Sequence, residues 1–122
     1  MIKDKYDIII TKLMDATGKG TVVWEKTSSN DEFQVKLGAN AVTISYYDPS
    51  DWVANLVIGS NELSKKESCS LSIINSEGVI IDNETIEKGE RGYERLKTLY
   101  DEARRKYFKV DETLDDILNT LN

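Results

Sequence analysis

The sequence predicts an α+β protein in which an N-terminal helix precedes an antiparallel β-meander of about five or six strands. Two C-terminal helices are expected to pack on one face of that sheet. In the first and last segments, apolar residues recur at spacings of three and four, which is typical of amphipathic helices. Between these segments, apolar and polar residues alternate in short runs, which indicates a sheet that is buried on one face.

The first helix is predicted over residues 4–17. Its apolar stripe consists of Tyr6, Ile9, Ile10, Leu13 and Met14. Gly18 follows this stripe, and glycine readily adopts the left-handed conformation that commonly ends a helix. We therefore expect the helix to end at Gly18.

Six alternating runs follow, and we expect strands over residues 21–26, 32–37, 41–46, 52–58, 69–74 and 79–82. The intervening turn-forming segments are residues 27–31, 38–40, 48–51 and 75–78. They are too short for crossover helices, so successive strands should pair antiparallel. The longer polar stretch 59–68 is consistent with either a loop or a widened hairpin.

Two helices are predicted in the C-terminal third of the chain. The first begins at about Glu90 and places Tyr107 on its apolar stripe, and the second has Asp111 as its N-cap. The second helix carries an apolar stripe of its own, formed by Leu114, Ile117, Leu118 and Leu121. The core residues predicted from these elements are Trp24, Ile44, Leu96 and Ile117.

Composition argues against several kinds of chemistry. The 122 residues include no histidine and one cysteine, Cys69, which removes Ser–His and Cys–His nucleophile pairs, His-containing metal sites and an internal disulfide. A single thiol fits a reducing compartment, and we find neither a signal peptide nor a membrane span, so we expect a cytoplasmic protein. The net charge of −6 disfavours binding to nucleic acids and anionic membranes.

Three segments resemble ligand-binding or catalytic motifs, but each is better explained by local structure. Residues 16–21 faintly resemble a phosphate loop, but they run from helix to strand, so the helix would present its negative end. A calcium loop starting at Asp48 would need Gly and Glu where the chain has Val53 and Gly59. The acidic cluster at residues 111–116 fits a magnesium or acid–base site, but it fits a favourable helix start better. We predict no catalytic residue, metal or cofactor.

Two segments are candidates for protein contact. Aromatic residues flank the Asp48–Pro49 turn, and alternation places Tyr46 and Trp52 on the buried side and Tyr47 outside. The densest basic run includes Arg104 and Arg105, which we interpret as a solvated helix end or a protein contact rather than a nucleic-acid site. The predicted interaction surface comprises Tyr47, Asp48, Trp52, Arg104 and Arg105.

Residues 96–105 and 110–118 carry the pattern Leu-Tyr-x-x-Ala-Arg-Arg followed by Asp-Glu-x-x-Asp-Asp-Ile-Leu. This pattern resembles the ending of short uncharacterised bacterial proteins, and residues 18–20 and 23–28 resemble their beginning. The resemblance implies a bacterial or phage origin and an accessory role, and it implies no site residues.

Taken as a whole, the sequence favours a non-catalytic, acidic protein-binding or accessory module, such as a regulator or an immunity-type inhibitor. Its expected partner is another protein, and a homodimer stays open. The alternatives are a small-ligand or oligomerisation domain and, with less support, an enzyme that uses carboxylates or a metal. Several acids converging in one cleft would favour the enzyme, whereas an apolar sheet face or edge covered by a second copy would favour oligomerisation.

Overall fold

A computed structural model describes residues 4–49 and 66–122 and confirms the predicted fold class. The N-terminal helix is followed by a five-stranded antiparallel sheet and two C-terminal helices, the first of which packs on the sheet. The elements are α1 (Asp4–Lys19), β1 (Trp24–Lys26), β2 (Glu32–Leu37), β3 (Asn40–Tyr47), β4 (Ser68–Ile74), β5 (Ile80–Glu87), α2 (Tyr93–Tyr107) and α3 (Val110–Leu121). The strand predicted over residues 52–58 lies outside the described residues, as do Trp52 and most of the stretch 59–68.

The sheet is a meander in which each described strand pairs antiparallel with the next one along the chain. The β2–β3 hairpin closes at the Leu37–Asn40 pair, and Gly38 in its two-residue loop has a φ of 65°, which glycine adopts without steric cost. The predicted turn at 75–78 is also present, because the Asn75 side chain accepts hydrogen bonds from the backbone amides of Glu77 and Val79.

The core lies between one face of the sheet and the helices α1 and α2. Predicted core residues Trp24, Ile44 and Leu96 are buried there. The remaining buried apolar residues of this cluster are Tyr6, Ile10, Leu13, Phe33, Val35, Val42, Cys69, Leu71, Ile86, Tyr93, Leu99, Tyr100 and Ala103. All of them lie in α1, α2 or the five strands, so the core uses no residue of α3.

The end of α1 differs from the prediction. The helix continues to Lys19, and the left-handed residue is Gly20, with a φ of 73°, rather than Gly18. The amide of Gly20 bonds to the carbonyl of Thr17, and that of Thr21 bonds to the carbonyl of Ala16, which is the Schellman pattern. The Trp24 indole then donates to the Thr17 hydroxyl at 3.0 Å and joins the end of α1 to β1.

Strand β5 is longer than the predicted run 79–82. Its central residues, from Asp82 to Thr85, are all polar and mostly exposed, because β5 is the last strand of the described sheet. With polar residues on both faces, the two-residue alternation disappears from the sequence. After Ile80 and Ile81 at the start of the strand, the next apolar residue is the buried Ile86 near its end.

Two predictions for the C-terminal helices are wrong, and a third holds in part. Ile117 is exposed rather than buried. Tyr107 lies on the predicted stripe, with its ring beside Phe33, but it is partly exposed because it is the last residue of α2. Asp111 is not the N-cap of α3. Lys109 takes that position, since its carbonyl accepts the amide of Thr113 at 3.0 Å.

No helix among the described residues has both the length and the apolar character that crossing a membrane requires.

Candidate functional site

An open groove lies beside the C-terminal end of β3, where the strand passes the middle of α2. It has a volume of about 520 Å³ and brings together two aromatic rings, three carboxylates and two cations. Its lining residues, which we call the aromatic groove, are Asp31, Tyr46, Asp48, Lys97, Tyr100, Asp101 and Arg104.

Hydrogen bonds to Asp31 hold one wall of the aromatic groove in place. The backbone amide of Tyr46 donates to the Asp31 carbonyl at 3.0 Å, and the Tyr100 hydroxyl donates to the Asp31 carboxylate at 3.2 Å. The rings of Tyr46 and Tyr100 pack with their centroids 5.4 Å apart. The groove thus connects the turn before β2, strand β3 and helix α2.

A side chain of the protein itself, Lys97, places its ammonium group over the Tyr46 ring in this groove. Lys97 Nζ lies 4.7 Å from the centroid of the Tyr46 ring and 2.7 Å from Asp101 Oδ1. A cation in this position is attracted by the ring face and by the carboxylate together. Lys97 and Asp101 are therefore engaged with each other rather than free to bind a ligand.

The tyrosine hydroxyls near the groove are hydrogen-bond donors at neutral pH. Burial raises the pKa of Tyr46, and a hydrogen bond to Glu67 raises it further. Burial also raises the pKa of Tyr100, with a further contribution from the charge of Asp31. Tyr93 donates to Glu67 as well, at 3.1 Å. These hydroxyls therefore keep their protons, which suits positioning better than proton abstraction.

Within residues 4–49 and 66–122, no three potential metal ligands among Cys, Asp and Glu lie close enough together to hold an ion. The acids of the C-terminal cluster, which the sequence left open as a magnesium site, project from α3 instead of converging. That this protein functions without a metal or a cofactor stays a prediction.

Cys69 lies on β4 beneath α2 and is fully buried. Burial raises the pKa of its thiol to about 12, and the nearby charge of Lys97 opposes this shift only in part. The thiolate, not the thiol, is the reactive form. Cys69 is thus a core side chain with little nucleophilic character.

We expect Cys69 to react slowly with a thiol-specific reagent such as dithionitrobenzoate at pH 8 and to react fully in denaturant. The folded pKa is above that of the unfolded chain, so the buried thiol favours folding below about pH 9, and this contribution disappears as the pH rises towards 12. Labelling of the native protein at the rate of a free thiol would contradict this assignment.

Four of the five predicted contact residues lie within the described part of the chain, and they are found in more than one place. Asp48 and Arg104 both line the aromatic groove. Tyr47 is half-buried and, by strand alternation, lies on the opposite face of the sheet from Tyr46. Arg105 points elsewhere and pairs with Asp111 at 2.6 Å. The fifth residue, Trp52, lies outside the described residues.

A second concavity, of about 530 Å³, lies where the N-terminal ends of α1 and α2 meet. Asp4, Asp7, Glu90 and Glu94 line it, and acidic residues are favourable near helix N-termini. Arg95 reaches across to Asp7 and neutralises part of this charge. The packing of α1 against α2 therefore explains both this concavity and its charged residues.

Helix α3 presents an exposed apolar face. Its apolar stripe, formed by Leu114, Ile117, Leu118 and Leu121, has side chains that are between 48% and 76% exposed. Phe108, at the junction with α2, is exposed to a similar degree. A hollow of about 250 Å³ runs along one border of the stripe and is lined by Thr113, Asp116, Ile117, Thr120 and Leu121.

The junction between α2 and α3 explains why the stripe does not reach the sheet. Lys109 has a left-handed backbone, with φ of 52° and ψ of 47°, so the chain changes direction before α3 begins. The α2 residues Leu96, Leu99 and Ala103 already fill the space over the sheet. The sequence revealed the apolar stripe of α3, but it gave no signal that the stripe would be left without a surface to cover.

Comparisons of the chain with protein-family models, with curated proteins and with solved structures find no match. The resemblance to short bacterial proteins therefore stays a prediction.

Proposed function

We propose that this protein is a non-catalytic binding module and that the apolar stripe of α3 is its contact surface for another protein. The observation that carries the proposal is the exposure of four large apolar side chains on one side of a single helix. Contiguous apolar surface rimmed by polar residues typically marks an interaction site. Burying one such side chain fully contributes about 1.5–3 kcal/mol.

The spacing of the stripe fits a helix that binds in a groove. Relative to Leu114, the other three residues follow at positions three, four and seven, which is the anchor pattern of helices that dock into apolar grooves. A 12-residue helix is marginal when isolated in water. Its attachment to α2, together with the Arg105–Asp111 ion pair, supports the helix before a partner arrives and so lowers the ordering cost of binding.

The described interior supports a binding role over a catalytic one. The Cys69 thiol is buried, and two pairs of polar groups in the aromatic groove are engaged with each other, Lys97 with Asp101 and Tyr100 with Asp31. Within the binding class, an accessory role in bacteria as a regulator or immunity-type inhibitor rests on the resemblance of the first and last segments. The exposed stripe is compatible with either role.

A second candidate function is oligomerisation through strand β5. Val79, Ile80 and Ile81 are more than half exposed at the start of this last strand of the described sheet. A strand edge of this kind can pair with a second copy. A sedimentation measurement would separate the two proposals, because only oligomerisation predicts a dimer mass for the isolated protein.

The binding proposal is tested by replacing Leu118 with glutamine, which removes apolar surface and leaves the charge unchanged. The matched control is Ile8→Gln on α1, since Ile8 is 55% exposed and Leu118 is 58% exposed. In capture from cells that express the protein naturally, we expect Leu118→Gln to reduce recovery of a stoichiometric partner about tenfold. Ile8→Gln should not change it.

Both variants should unfold within about 0.5 kcal/mol of the parent protein, because exposed substitutions have small effects on stability. Equal partner recovery by Leu118→Gln and the parent would overturn the assignment of this surface.

A further inference from the structure

The charges of α3 are all of one sign. Its twelve residues contain four acids and no basic residue. Asp111 and Glu112 lie in the first turn, where the helix dipole favours negative charge. Asp115 and Asp116 lie beyond that turn, so the dipole does not account for them. Helix formation alone explains only half of the acidic residues.

The two unexplained acids carry a cost within the helix. Asp115 is four residues after Asp111, and Asp116 is four residues after Glu112, so each forms a like-charge pair on the helix surface. Such pairs weaken a helix to about the extent that an ion pair at the same spacing strengthens it. Arg105 relieves the charge on Asp111, but among the described residues no cation lies within ion-pair distance of Asp115, Asp116 or Glu112.

Two of these acids border the apolar stripe on one side. Asp111 and Asp115 each precede a stripe residue by three positions, Leu114 and Leu118 respectively, and residues three apart are neighbours on a helix surface. The hollow along the other border is lined by Thr113 and Thr120, with one acid, Asp116, beside them. The stripe therefore has a more acidic border, with Asp111 and Asp115, and a border on which two hydroxyl side chains accompany the single acid Asp116.

We propose that the partner's groove has a rim rich in lysine or arginine, which lies along the Asp111 and Asp115 border of α3. This inference rests on the proposed function, and it specifies the partner chemistry of the same surface. A basic rim would neutralise the Asp111–Asp115 like-charge pair, so charge and apolar contact would favour the same complex.

The same charges argue against two other occupants. A second copy that docked stripe against stripe in the antiparallel orientation would bring the acidic borders of both helices together, and like charges across an interface are unfavourable. An anionic membrane would repel the acidic border as well as the chain's net charge of −6. A basic protein groove is the occupant whose charge complements α3.

The test is a selection against the intact protein from a displayed library of two-helix scaffolds. Each scaffold has an apolar groove, and its rim positions encode lysine, glutamine or glutamate in equal numbers. We expect binders to be enriched in lysine along one rim. Asp111→Asn combined with Asp115→Asn should weaken the selected binders about two- to fivefold at low salt, consistent with exposed charge pairs.

Glu112→Gln is the matched control, because Glu112 precedes no stripe residue by three or four positions, and it should change affinity less than the substitutions on the acidic border. Binders that require Leu118 but show no preference for lysine would overturn the basic rim and leave the proposed function standing. Binders unaffected by Leu118→Gln would overturn both. An isolated protein that sediments as a dimer, and returns to a monomer in Leu118→Gln, would assign the stripe to a second copy instead.

Discussion

Replacing Phe33 with alanine is expected to lower the free energy of unfolding by about 3–5 kcal/mol. Phe33 is buried on β2, and its ring packs against Tyr100 and Tyr107 of α2, at centroid distances of 5.7 and 5.5 Å. Alanine would remove these ring contacts and leave a cavity between the sheet and the helix. A loss of this size is a large share of the stability of a domain, which is about 5–15 kcal/mol.

Urea unfolding followed by circular dichroism would measure this loss. The control is Phe108→Ala, because the Phe108 ring meets Phe33 edge-on at 6.1 Å but is about half exposed. We expect this control to lose less than half as much, since it already exposes much of its ring to water. If both variants lost the same amount, the junction between α2 and α3 would be as firmly packed as the core.

The strands were predictable where one face of the strand is buried and the other is exposed. Strands β2 and β3 occupy the predicted positions to within one residue because apolar residues such as Val35 and Ile44 alternate with polar ones. Strand β5 was underestimated because its central residues are polar on both faces. Alternation of apolar and polar residues reveals a strand only when one face is apolar and the other is polar. The centre of an edge strand that is polar on both faces therefore shows no alternation.

The candidate site was less predictable, for a physical reason. An amphipathic stripe has the same spacing whether it covers the protein's own sheet or a partner, so the prediction that Ile117 is buried could not be checked from periodicity. The left-handed backbone of Lys109 sets the direction of α3, and lysine is not a residue that signals this conformation. The pairing of Lys97 with the Tyr46 ring also depends on how α2 crosses β3, which local sequence does not specify.

The assignment of α3 as a contact surface makes a second strong prediction about stability. Leu96→Ala is expected to destabilise the protein by about 2–5 kcal/mol, because Leu96 is fully buried between α2 and the sheet. Ile117→Ala is expected to change stability by less than about 0.5 kcal/mol, because its side chain is half exposed. Alanine's higher helix propensity offsets part of any loss at that position.

This pair of variants tests the architecture and the proposed function together, with urea unfolding as the measurement. Leu96 and Ile117 share the same apolar character and the same helical setting, so sequence alone treats them as equivalent core residues. A small effect at Ile117 would mean that the stripe contributes little to folding and stays available to a partner. A loss at Ile117 close to that at Leu96 would mean that α3 packs into the core and that its stripe is not available to a partner.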